Sequence, residues 1–113
     1  MKKINVILLF VSALCFVSCD SVTYDQISEV NTNPTYAANV GPVFHSNCSG
    51  CHNSGGQYPS LANYTEVKDA VENGNVICRI DTQTCGSVMP TSGRMNQGTI
   101  DMIKLWATNG YPN

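Results

Sequence analysis

The sequence predicts an all-α domain of three to four short helices over residues 38–113, and three observations carry that expectation. The stretch "NYTEVKDAVENG", residues 63–74, opens on Asn63 with Glu66 three positions on, the spacing of a capping box. From about Gln97 to Asn109, apolar side chains recur at helical intervals, at Ile100, Ile103, Trp106 and Ala107. No stretch alternates apolar and polar residues strongly enough to mark a strand.

The first eighteen residues are read as a leader that the domain does not keep. Met1, Lys2 and Lys3 precede an apolar run that ends near Val17, and small Ser18 stands before Cys19. A basic start, an apolar middle and a small residue at the cut are the layout of a secretory signal. The run is too short to be a comfortable membrane-spanning helix. The stretch "FVSC", residues 16–19, resembles a bacterial lipobox, with Phe16 where Leu is usual. That resemblance implies a lipid-modified Cys19 as the mature N-terminus, so an exported protein anchored to a membrane and facing the periplasm or cell envelope. Each buried acyl methylene contributes about 0.8 kcal/mol, and two or more chains make a stable anchor. Residues 19–37 are polar, lack helical periodicity and read as a tether.

Within the domain, Val40 to Asn47 suits a short helix with Pro42 in its first turn, where the missing amide proton costs nothing. Val43 and Phe44 offer it apolar contacts. Gly50, Gly55 and Gly56 surround "NCSGCHN" and suit a loop passing close to a flat ligand. In the middle helix Val67, Ala70 and Val71 form the apolar face, and Gly74 supplies the stop. Gly110 ends the last helix. The chain carries Lys68, Arg79, Arg94 and Lys104 after Cys19, against all 8 of its acidic residues. With no basic patch or run, nucleic acid is not an expected partner.

The six cysteines divide by position. Cys15 leaves with the leader and Cys19 is the lipobox residue. Cys48 and Cys51 form one close pair, and Cys78 and Cys85 another. In an exported protein the second pair is expected to be a disulfide closing a short loop, which contributes about 2.5 kcal/mol in the chain-entropy account. A four-cysteine zinc site is the rival, but six residues separate Cys78 from Cys85 where zinc ligand pairs usually have two to four between them. A thioredoxin-like redox pair is a third reading, and it wants βαβ units that are not visible. Neither rival explains His52, directly after Cys51. Haem attachment requires it: two thiols add across the vinyl groups and the next residue sets its imidazole beneath the iron. Such a plate would also give a domain of this size the staple it needs.

With these residues in place, the chain resembles small class I cytochrome c domains, over residues 38–113. The likeness rests on "VFHSNCSGCH", on "SVMPTSGRM" at residues 87–95, and on a closing helix with "IDMIKLWATNG". It is similar to lipid-anchored monohaem cytochromes of Bacteroidetes-like bacteria. The resemblance implies a small cytochrome c fold around one covalent haem, His52 as the proximal iron ligand and Met89 as the distal one. It implies one-electron transfer with no substrate turned over, between a redox protein donor and acceptor, by a monomer or a module of a larger complex. Met95 is a second candidate ligand in the same loop, Met102 and Trp106 read as packing, and His45 as a surface residue. Two other functions compete: a haem sensor or peroxidase-like protein with an open distal site, and a structural zinc module. No Ser–His–Asp set, paired acids or phosphate loop points to an enzyme.

Overall fold

In the computed structural model, which describes residues 31–113, helix formation begins at Thr35, whose side-chain oxygen accepts from the Ala38 N–H at 3.2 Å. A π-helical turn, Tyr36–Val40, runs straight into α1, Gly41–Asn47, with Pro42 in its first turn as the sequence indicates. Helix α2, Tyr64–Glu72, follows, then α3, Val76–Ile80, and α4, Gln97–Thr108. No strand occurs among the described residues. The described residues therefore form a small four-helix globule, entered through the π-helical turn. The leader, Cys19 and the first part of the tether lie outside the described residues.

Each boundary has a local cause. Asn63 caps α2 by accepting from the Glu66 N–H at 3.1 Å. The Glu66 carboxylate closes the reciprocal arm one residue further back than a capping box places it. It accepts from the Ala62 N–H at 2.9 Å and from the Ser60 hydroxyl at 2.6 Å. Those bonds hold the Glu66 carboxyl below the usual carboxylate range, the Ser60 hydroxyl contributing most. Asn96 caps α4 through the Thr99 N–H at 2.9 Å. At the other end Gly110, φ +83°, turns the chain. Its N–H reaches Ala107 O at 3.1 Å while the Tyr111 N–H reaches Trp106 O at 3.0 Å, the two bonds of a Schellman motif.

The faces anticipated from periodicity are the buried ones. Val67, Ala70 and Val71 of α2, and Ile100, Ile103 and Trp106 of α4, meet Val40, Phe44, Leu61, Val76 and Ile80 in one core. Ala107, expected in the stripe, is half-buried at its edge. Packing extends back into the segment read as a tether: Pro34 is fully buried, and the Tyr36 N–H donates to Pro112 O at 2.8 Å. Trp106 donates its indole N–H to the same carbonyl at 2.8 Å, and its ring meets Tyr111 edge-on with centroids 5.0 Å apart. None of the described helices is long and apolar enough to cross a membrane.

Candidate functional site

Helix α1 ends by feeding directly into the cysteine turn. The Cys48 N–H donates to Phe44 O at 2.9 Å, and the Cys51 and His52 N–H groups both return to Cys48 O, at 3.1 and 2.9 Å. This tight turn gathers Cys48, Cys51 and His52 on one wall of a cavity of about 720 Å³. Cys48 and Cys51 are free thiols. Cys48 is the more enclosed, and burial pushes its thiol up to about 11, so it stays protonated at neutral pH. Desolvation of that kind disfavours a thiolate and tolerates a neutral thiol or thioether.

His52 is oriented by the loop that follows it. Its Nδ1 lies 2.9 Å from Pro59 O and 3.1 Å from Gln57 O, acceptors that put the proton on Nδ1 and leave Nε2 as the basic nitrogen. Metal-ligating histidines characteristically donate their other ring N–H to a carbonyl or carboxylate in this way. The loop folds back because the Gln57 N–H donates to Cys51 O at 2.9 Å and the Leu61 N–H to His52 O at 2.7 Å. Gly56 is required here, since a Cβ would run into the Cys51 carbonyl. Gly50 and Gly55 meet no such constraint: a Cβ at Gly50 would find nothing within 4 Å, and one at Gly55 only the Asn53 side chain at 4.0 Å.

Met89 reaches the same cavity from the loop between α3 and α4, and Met95 lines it too. Phe44, Leu61, Ala70, Ile80 and Ile103 supply apolar wall. His45 does not line it. That residue is exposed on α1 with its ring beside Ser49, as expected for a surface histidine. Met102 packs against the core, also as expected. Sequence reasoning missed Arg79, which lines the cavity and whose carbonyl accepts from the Met89 N–H at 3.1 Å. It also missed α3 itself, whose only local signal is the spacing of Val76 and Ile80.

Cys78 and Cys85 are bridged, with Cα atoms 6.1 Å apart, inside the usual disulfide range. The bridge ties α3 to the start of the Met89 loop. It also withdraws both sulfurs from the four-cysteine zinc arrangement, and no cluster of three or more His, Cys, Asp or Glu residues is arranged to hold a metal among the described residues. A haem fits what is present. The cavity falls within the roughly 300–1,000 Å³ of cofactor sites. Its walls are largely apolar, two free thiols stand at the histidine, and a thioether stands on the loop beside Arg79. Comparison with protein-family models, with curated proteins and with solved structures finds no match to this chain.

Proposed function

We propose that this protein is a monohaem c-type cytochrome that carries one electron at a time, with Cys48 and Cys51 holding the haem covalently and His52 and Met89 as its axial ligands. The single observation that carries the reading is the meeting of Cys48, Cys51, His52 and Met89 on one largely apolar cavity of about 720 Å³. The haem would supply a metal that cycles between two oxidation states. Everything else falls to the chain. Pro59 O and Gln57 O hold the His52 tautomer, the apolar wall would exclude water, and the thioether of Met89, a soft donor, would raise the potential. With His52 and Met89 both held on the metal, no position would be left for a substrate, so the reading is of a carrier rather than an enzyme. A lipid on Cys19 would keep the domain at the exported face of a membrane, beside donor and acceptor redox proteins.

A haem-stained denaturing gel tests attachment. The wild type retains stain, and a Cys48→Ala/Cys51→Ala variant loses it entirely. Stain retained by that double variant overturns the assignment. An open-site sensor or peroxidase is separated by carbon monoxide. Met89→Ala should bind it readily in the reduced state, and a wild type that binds it equally fast is not a carrier. Recovery of the intact protein from detergent, with Cys19→Ala shifting it to the soluble fraction, tests the anchor.

A further inference from the structure

We infer, on the basis of the cytochrome reading, that Arg79 is the positioning residue for Met89. Arg79 grips the Met89 loop twice. Its carbonyl accepts from the Met89 N–H at 3.1 Å, and its guanidinium Nη1 donates to Ser87 O at 3.0 Å. Two hydrogen bonds from a single helical residue thus fix the backbone at Ser87 and at Met89, two positions apart.

The sequence makes room for this grip. Gly86 has φ +129°, a conformation that side chains rarely adopt, and a Cβ there would lie 2.6 Å from the guanidinium carbon of Arg79. The guanidinium therefore lies against the bare face of Gly86, and the turn needs glycine for both reasons. Further anchors close the ends of the loop. The Cys78–Cys85 bridge ties its start to the residue before Arg79. Asp81, two residues after Arg79, accepts from Arg94 at 3.0 Å and from Lys104 of α4 at 2.9 Å. Loop and helix are thus joined at both ends, while Arg79 sets the part that bears Met89. Among the described residues lining the cavity, Arg79 is the sole Lys or Arg. A lysine offers one ammonium on a flexible stem and cannot reproduce a planar fork laid over a glycine.

The test uses the holoprotein, with Arg79→Gln, Arg79→Lys and Gly86→Ala. The last variant displaces the guanidinium without removing its charge, which separates position from electrostatics. Three quantities are read: covalent haem on a stained gel, the far-red charge-transfer band of a thioether on ferric iron, and the rate of carbon monoxide binding to the reduced protein. All three variants are expected to keep full haem stain, because the cysteine turn is held by its own hydrogen bonds. They should lose most of the thioether band and bind carbon monoxide about tenfold faster, the scale of one lost charge-assisted hydrogen bond. If the variants keep the band and bind carbon monoxide within about twofold of wild type, Arg79 does not position Met89 and the carrier reading stands untouched. If Arg79→Gln alone loses the band while Gly86→Ala and Arg79→Lys keep it, charge is responsible and positioning is refuted. Loss of haem stain in the variants makes Arg79 a general fold residue and overturns the inference. A wild type without covalent haem removes the carrier reading and this inference together.

Discussion

The turn that carries Cys48, Cys51 and His52 and the loop that carries Met89 reach one cavity by opposite means. In the turn nearly every fixing bond is short in sequence: Cys48 to Phe44, His52 to Cys48, Gln57 to Cys51, Leu61 to His52. In the loop the fixing contacts reach further along the chain, up to 23 positions, although the shortest, at 7, falls inside the range of the turn's own bonds. They run from Met89 to Arg79, from Arg94 to Asp81 and from Lys104 to Asp81, and they include the Cys78–Cys85 bridge. A turn bonded mostly to near neighbours depends less on the docking of distant elements. A loop bonded at a distance holds its shape only while the elements at its ends stay docked. The two walls of the site therefore differ in what can loosen them.

The largest expected effect falls on the wall that is locally built. Phe44 is 2% exposed, lines the cavity and supplies the carbonyl on which the cysteine turn starts. Phe44→Ala should cost about 3–5 kcal/mol, the range for a buried aromatic cut to alanine. The loss should appear in a single cooperative urea transition, since Phe44 shares one core with α4. A cost under about 1 kcal/mol, or a transition confined to the turn, would break the picture of one core behind both walls.

Next comes the bridge. Cys78→Ser with Cys85→Ser should lower stability by about 2–3 kcal/mol. Hydrogen exchange sharpens the contrast between the walls. The Met89 amide, bonded to Arg79 O, should lose protection, whereas the Leu61 amide, bonded to His52 O, should keep its own relative to global unfolding. Equal loss at both amides would mean that the walls are not independently held.

The smallest effect is on acid stability. Lys104, and after it Arg94, hold the Asp81 carboxyl below its ordinary value of 3.8, and Glu66 is likewise held below 4.5 by the Ser60 hydroxyl and the Ala62 N–H. A carboxylate whose folded pKa is depressed keeps its folded state proton-poor where the unfolded chain begins to take up protons. Its stabilisation is complete above the ordinary value and is lost as pH falls through the folded one. Urea unfolding across that acid range should show a falling limb that Asp81→Asn flattens, leaving the part due to Glu66. An unchanged limb in Asp81→Asn would show that the Arg94 and Lys104 contacts do not hold the loop base.

The same local–distant division decides what can be read from sequence. The cap at Asn63, the stop at Gly110, the α2 and α4 core faces, and the close grouping of Cys48, Cys51 and His52 all follow from neighbours within a turn. The π-helical turn before α1 does not, nor does α3. Val76–Ile80 is only five residues long and follows closely on Gly74, which reads as a stop, and its helicity rests on burying Val76 and Ile80 in the core. Arg79 and Asp81 were invisible for a related reason. Their partners lie 8 to 23 positions away, and no spacing rule links an arginine to Ser87 or an aspartate to Lys104. That Met89 shares a cavity with His52 is likewise a tertiary fact, anticipated only through resemblance to a family.

The Pro112 carbonyl, which receives both the Tyr36 amide and the Trp106 indole, has a consequence for the order in which the molecule is assembled. Tyr64 depends on the same tail, its hydroxyl donating to Tyr111 O at 2.8 Å. These acceptors lie at the far end of the described residues, so they are among the last of them to be made. Until they arrive, the first helical turn and the middle helix meet through the Tyr36 and Tyr64 rings, 5.3 Å between centroids, without the tail that both of them bond. During that interval Cys48 and Cys51 stand in a chain whose cavity walls have not met. Under the cytochrome reading, a chain whose tail has not docked would leave the two thiols open to a large flat ring.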